Sequence, residues 1–287
     1  MNSIKKYLSL IKFSHTIFAL PFALIGFFLG SSSTPTTKPY WQLFLLVVLC
    51  MIFARSAAMA FNRWADRKFD EKNERTKNRE LPSGIISSKQ ALLFVIANCI
   101  FFITSTFFIN STCFYLSPVA LLIVLGCSFT KRFTSLCHLI LGIGLALAPI
   151  GAFLSVTGQF KLLPLLYSFV VLFWVSGFDI IYALQDEEFD RTQNLKSIPA
   201  LIGKNNALLV SRLFHLIAGA MVLYAGYFAE FKFWYWIGAT LFIALLFYQH
   251  TLVKANNLSK VNLAFFTTNG LASVLFAVFV LLELVGN

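Results

Sequence analysis

Two short stretches of this chain place oxygen-bearing side chains at every fourth position. In FNRWADRKFDEKNERTKNRELPSG (61–84) these are Asn62, Asp66 and Asp70. In GFDIIYALQDEEFDRTQNLKSIP (177–199) they are Tyr182, Asp186 and Asp190, with Asp179 about one turn earlier. Side chains four apart share a helix face, so each stretch predicts an acidic face. Two such faces pointed at each other repel unless cations lie between them. Hard oxygen ligands of this kind suit Mg²⁺, which keeps several waters and is commonly shared with substrate phosphates. Either stretch alone would also suit a solvated helix end laced with salt bridges. Together they hold ten of the twelve Asp and Glu residues, which argues for a site.

Basic residues are interleaved with the first set of acids: Arg63, Arg67, Lys68, Arg75, Lys77 and Arg79. Lys131 and Arg132 form a second basic pair in CSFTKRFT (127–134). Acids to hold Mg²⁺ and bases to hold phosphate oxygens describe a diphosphate site. The expected metal set is Asn62, Asp66, Asp70, Asp186 and Asp190, with Arg67, Lys131 and Arg132 on the diphosphate.

The two stretches also echo each other at an offset of 120 residues, where Asp66 meets Asp186, Phe69 meets Phe189 and Asp70 meets Asp190. Each then reaches a proline after an aliphatic residue, Leu81 before Pro82 and Ile198 before Pro199. An internal repeat of this kind predicts two related helical halves, about 1–130 and 131–287, within one domain over 1–287.

The elements that must carry these residues are membrane helices. The chain has 287 residues, 58% hydrophobic and only 12% charged, a composition outside the range of ordinary soluble domains. Nine apolar runs approach the length that spans a bilayer: about 13–30, 41–61, 91–109, 113–127, 136–155, 163–182, 207–228, 233–252 and 262–284. The fold class expected is an all-α polytopic membrane protein, about nine transmembrane helices around a central cavity. The first run lacks a small-residue cleavage site and reads as a retained helix.

Basic residues set the expected orientation. Lys5, Lys6, Lys12, the 62–90 loop, Lys131, Arg132, Arg191, Lys196, Lys204, Lys254 and Lys260 would share one side, leaving Lys38, Lys161 and Lys232 on the other. This predicts a cytoplasmic N-terminus in a bacterial-type inner membrane. The net charge of +11 is largely this topology signal, so no nucleic-acid partner is implied, nor an obligate protein partner. The five cysteines lie in or beside apolar runs without a CxxC pair, so no disulfide or zinc framework is expected.

The motifs NRWADRKFD (62–70) and DEEFD (186–190), with RTKNRELPSG (75–84), TKRFT (130–134) and the opening IKFSHTIFALPFAL (11–24), resemble the UbiA superfamily of intramembrane prenyltransferases. The resemblance covers nearly the whole chain. It implies Mg²⁺-dependent transfer of a prenyl chain from polyprenyl diphosphate to an aromatic acceptor. The group it resembles most makes 4-hydroxybenzoate derivatives for quinone synthesis. The AFNR and ALQD wording also resembles relatives of the menaquinone route that prenylate a dihydroxynaphthoate. Two departures stand out: Arg63 where many members have Asp, which leaves the metal on Asn62, Asp66 and Asp70, and Cys127 where many have Tyr.

On this reading Asp66, Asp70, Asp186, Asp190 and Lys131 are catalytic. Lys12, His15, Arg55, Asp179 and Tyr182 are candidates to bind an aromatic carboxylate acceptor. Arg55 lies inside the second apolar run, where a charge is costly and points to a site. It would hold the acceptor carboxylate or pair with Asp179. The competing class is a secondary transporter with an anion site, which predicts ionisable residues near the bilayer midplane instead of clustered at one surface. The DGxxAR…GxxxDxxxD pattern of CDP-alcohol phosphotransferases is absent.

Overall fold

The computed structural model describes residues 3–11, 18–33, 36 and 38–286, so Lys12 and His15 lie outside the described residues. Among these residues the chain is all-helical, with one isolated bridge between Lys254 and Asn257 in place of any sheet. In order the helices are α1 (Ser3–Leu10), α2 (Leu20–Ser33), α3 (Tyr40–Lys72), α4 (Ser88–Ile109), α5 (Ser111–Thr130) and α6 (Cys137–Thr157). They continue as α7 (Leu162–Ala183), α8 (Glu187–Thr192), α9 (Ile198–Phe228), α10 (Phe233–Leu252) and α11 (Asn269–Gly286).

Seven helical spans are long and apolar enough to cross a membrane. The first and eighth predicted runs correspond to α2, with 14 described residues, and α10, whose 20 residues carry Trp and Tyr at one end and Gln249 and His250 at the other. Length and composition therefore support seven of the nine expected crossings. Both remaining helices pack into the same bundle, α2 against α6 and α10 against α11.

α7 lies at the centre of the bundle and is far more buried than α5, which carries no charged residue, so packing and not apolarity alone sets it there. Its Tyr167, Val170, Val171, Trp174 and Val175 are fully buried between α6 and α9. Phe22 of α2 and Phe242 of α10 meet the Trp174 ring, and Phe276 of α11 meets Tyr167. Lipid tails compete with apolar side chains, so close packing across small residues must hold such helices together. Gly26 of α2 shows this: a Cβ there would stand 2.0 Å from the carbonyl oxygen of Pro149 in α6. Outward-facing Leu93, Ile100, Phe107, Leu122 and Leu209 supply an exposed apolar belt.

Two features carry the acidic stretches to one end of the bundle. α3 runs to Lys72, 33 residues and roughly 50 Å at the α-helical rise, so Asn62 to Asp70 ride on its last turns. At the partner stretch the expected continuous helix breaks. α7 stops at Ala183, a 3₁₀ turn covers Leu184–Asp186, and α8 restarts at Glu187. Asp186 has φ −105° and ψ 7°, outside helical geometry. Gly203 adopts φ 78°, ψ 163° and kinks α9 just beyond the site, a conformation only glycine takes without strain.

Candidate active site

The 73–87 connection folds back over the end of α3. Asn73 Oδ1 accepts from the Arg75 amide at 2.9 Å, and Thr76 Oγ1 donates to the Asp70 carbonyl at 3.1 Å. α4 then starts at a capping box between Ser87 and Gln90. The fold-back aims Asn73 and Arg75 at the second acidic stretch.

Each of the four motif aspartates faces a base of this chain. Arg75 grips Asp186 side-on, Nε 3.0 Å from Oδ1 and Nη2 2.5 Å from Oδ2, with Asn73 Nδ2 3.1 Å from Oδ1. Arg79 Nη1 lies 2.7 Å from Asp70 Oδ1. Arg132 Nη2 lies 3.1 Å from Asp66 Oδ1 and donates to the Ala65 carbonyl at 2.7 Å, its guanidinium held over Phe69 and Phe129. Lys131 Nζ lies 2.6 Å from Asp190 Oδ1, and Ser197 Oγ donates to Asp190 Oδ2 at 2.8 Å. Lys131 and Arg132 thus join the two acidic stretches. The Lys196 amide donates to the Lys131 carbonyl at 2.7 Å, tying the two connections together.

Burial alone would lower the Arg75 guanidinium, but hydrogen bonds and charge from Asp186, with Tyr182 adding to them, hold it above its ordinary value. Arg75 also reaches Tyr182, Nη1 to Oη at 2.9 Å. Because of the 3₁₀ turn, Tyr182, Asp186 and Asp190 do not continue one helix face. Tyr182 and Asp186 share Arg75, while Asp190 turns to Lys131 and Ser197.

Asn62 Nδ2 donates to Asp66 Oδ2 at 3.2 Å, so amide and carboxylate meet as the four-residue spacing requires. Among the described residues no three acids, histidines or cysteines stand close enough to share one metal as they are, because each carboxylate is turned to its own base. The donor set still fits a hard cation. Asp70 Oδ2 is buried without a hydrogen-bond partner, an arrangement that costs stability until something satisfies it.

The structure departs from two expectations. Arg67 does not join the acids: its Nη1 donates to the Trp64 carbonyl at 2.7 Å and its guanidinium lies over the Trp64 ring. One residue beyond Asp66, it points about a quarter-turn away around α3. Asp179 does not pair with Arg55. Its Oδ2 meets His138 Nδ1 at 2.7 Å, and the Ile198 amide donates to His138 Nε2 at 3.3 Å. That donor makes Nε2 the acceptor and puts the proton on Nδ1, facing the carboxylate. Cys127, at the position where many members have Tyr, turns its thiol to the Ile123 and Ile140 carbonyls.

Among the described residues Arg55 pairs with no acid, and its Nε is buried in α3 without a hydrogen-bond partner. Arg63 is buried too, its Nε likewise unpartnered, with Asp70, Glu80 and Arg79 as electrostatic neighbours. Sequence reasoning listed Arg75 and Arg79 only as interleaved bases and passed over His138, Asn73 and Ser197. It also left unnamed the rings beside Tyr182. Phe265 stands 4.3 Å from the Tyr182 ring centre, and Phe178 follows 5.4 Å from Phe265.

Solved structures share this architecture. An apo UbiA homolog from Aeropyrum pernix K1 superposes with a TM-score of 0.80 at 29% identity, over 95% of this chain and 97% of that one. A UbiA homolog from Archaeoglobus fulgidus bound to DMAPP and Mg²⁺ shares the fold with a TM-score of 0.72 at 23% identity, covering 98% and 99%. Among relatives, the 4-hydroxybenzoate octaprenyltransferase of Nitrosomonas eutropha is 31% identical over 88% of this chain and 87% of its own length. That of Saccharophagus degradans is 32% identical over 87% and 83%. Residues 19–271 match the UbiA prenyltransferase family, and the chain belongs to that family of prenyl-transferring membrane enzymes.

Proposed function

We propose that the protein moves a polyprenyl group from its diphosphate to an aromatic carboxylate, with 4-hydroxybenzoate as the acceptor, in respiratory quinone synthesis. The observation that carries this is the set of four aspartates, each matched to an arginine or lysine, where the two acidic stretches meet. Asn62, Asp66, Asp70, Asp186 and Asp190 would hold Mg²⁺, and Asp70 Oδ2 already stands buried without a partner for it. Mg²⁺ bound there would offset the charge of the departing diphosphate. The Mg²⁺ and DMAPP bound to the Archaeoglobus fulgidus homolog support the pairing of metal and diphosphate.

Arg75, Arg79, Lys131 and Arg132 are fixed donors already aimed at these carboxylates. These four residues would exchange carboxylate for phosphate oxygens when the diphosphate binds. Donors placed in advance where charge develops lower the barrier most. The allylic carbon–oxygen bond breaks, the electron pair leaves with the diphosphate, and the ring carbon ortho to the acceptor hydroxyl takes the allylic carbon. The ring proton then departs. Tyr182, which shares Arg75 with Asp186, and Phe265 against it present aromatic faces suited to an allylic cation.

Arg55 lies seven residues, two helical turns, before Asn62, so it shares that face of α3. A buried guanidinium without an acid partner suits the acceptor carboxylate. A dihydroxynaphthoate carries a carboxylate as well; the names of the relatives favour 4-hydroxybenzoate. The acids gather at one end of the bundle, which supports an enzyme over a transporter with a midplane site.

Purified protein given polyprenyl diphosphate and equal amounts of 4-hydroxybenzoate and 1,4-dihydroxy-6-naphthoate tests the acceptor. Prenylated 4-hydroxybenzoate as the main product supports the reading. Product on the naphthoate alone reassigns the acceptor.

A further inference from the structure

Where α8, the first part of α9 and the 253–262 connection meet lies an open recess of about 700 Å³. Lys204 and Arg212 of α9 and Lys254 of the 253–262 connection converge on it, with Asn256, Leu208 and Glu187 completing the wall. Three cations face one acid, Glu187, whose Oε1 accepts from Arg191 Nη2 at 2.6 Å and whose Oε2 forms a longer ion pair with Lys204 Nζ at 3.7 Å. The Arg212 guanidinium and the Lys254 ammonium have no hydrogen-bonded or ion-paired partner among the described residues. The recess thus carries a net positive charge.

Its surroundings say which anion. Arg212 is an exposed residue of α9, flanked on its own face by Leu209 three residues before it and Leu216 four residues after it. These leucines are 63% and 53% exposed, and Leu223 continues the stripe at 46%. The cations collect at the end of α9 nearest the aspartate cluster, and the stripe runs from them along the outer surface of the bundle. A free phosphate would use the cations and ignore the leucines. A phospholipid uses both, its phosphate on the cations and an acyl chain along the stripe. A long arginine can keep its stem on apolar surface while its head reaches the interface.

We propose that this recess is a binding site for an anionic phospholipid, its phosphate held by Lys204, Arg212 and Lys254. Basic pockets between membrane helices bind such headgroups by charge, and a zwitterionic headgroup brings a cation of its own that these residues repel. None of the four motif aspartates lines the recess, so the proposal does not depend on which acceptor the enzyme uses.

Native mass spectrometry of the purified full chain, with phosphatidylglycerol or phosphatidylcholine added in turn, measures retention of each lipid. Phosphatidylglycerol should be retained in preference. Arg212→Gln and Lys254→Gln should each weaken that retention roughly fivefold, with Lys260→Gln, outside the recess, leaving it unchanged. Lys254 lies on an exposed connection, so its variant reports on the site even if Arg212→Gln proves unstable. Prenyl transfer in phosphatidylcholine should match wild type in both variants and certifies their fold. Equal retention of the two lipids, or undiminished preference in the variants, overturns the proposal. So does displacement of phosphatidylglycerol by millimolar inorganic phosphate, which would mark a free-anion site.

Discussion

Arg75 and Asp186 meet through two parallel hydrogen bonds across 111 residues of sequence, Nε to Oδ1 at 3.0 Å and Nη2 to Oδ2 at 2.5 Å. The pair joins the connection after α3 to the turn after α7, the two acidic stretches of the chain. A planar guanidinium makes this contact and an ammonium cannot. Arg75→Lys should therefore lower kcat/KM about tenfold, and Arg75→Ala more, with the loss largest at low polyprenyl diphosphate. Equal rates for wild type and Arg75→Lys would remove Arg75 from the diphosphate site.

The same pair sets a pH expectation. Asp186 and Tyr182 raise Arg75 above its ordinary value. A raised group contributes its stability fully below its unfolded value and loses it only as pH climbs past the raised one, far above neutrality. Rate profiles between pH 6 and 9 should show no break that disappears in Arg75→Lys.

Lys131 and Arg67 separate the structure from a linear reading of the sequence. Both were candidates for the diphosphate, yet Lys131 lies on Asp190 and Arg67 on the Trp64 ring. Arg67→Ala should keep activity within about threefold, as surface changes usually do. Lys131→Met should lose on the order of 10²-fold or more. Steady-state rates of the two variants in the same membranes make the comparison.

Arg55 should reveal itself through one substrate only. Arg55→Ala is expected to raise KM for the aromatic acceptor about 10- to 100-fold, the worth of a charge-assisted hydrogen bond. KM for polyprenyl diphosphate should be unchanged. A rise in both constants would place Arg55 on the diphosphate instead.

His138 should matter to stability. It is almost fully buried and links Asp179 of α7 to the first amide of α9. His138→Ala strands both partners and should cost about 1–3 kcal/mol, read as a lower midpoint of thermal unfolding in detergent. His138→Gln, which can still reach one partner, should lose less.

Much of this was legible from local spacing. Asn62, Asp66 and Asp70 are four apart, α3 keeps them on one face, and the amide meets its neighbour as the count required. The all-helical class followed from the apolar runs. What spacing could not show was anything set by a neighbour distant in sequence. His138 and Asp179 lie 41 residues apart on different helices, and neither sits in a pattern that names the other. Counting residues through 182–190 also assumed an unbroken helix, whereas the 3₁₀ turn at Leu184–Asp186 redirects Asp186 toward Arg75. Arg67 follows Asp66 in sequence, but its contact with the Trp64 carbonyl and ring is set by the turn of α3 and not by its place in the motif.

Prenyl transfer is decided by following both halves of one turnover. Purified protein receives polyprenyl diphosphate and 4-hydroxybenzoate, and diphosphate and prenylated ring are quantified with Mg²⁺, with a chelator, and in Asp66→Ala and Asp186→Ala. Wild type with Mg²⁺ should yield the two products in equal amounts. Chelation and either variant should abolish both products, while the protein remains inserted in the membrane. Diphosphate released without a prenylated ring from any phenolic acceptor, or near-normal turnover in either variant, would overturn the assignment.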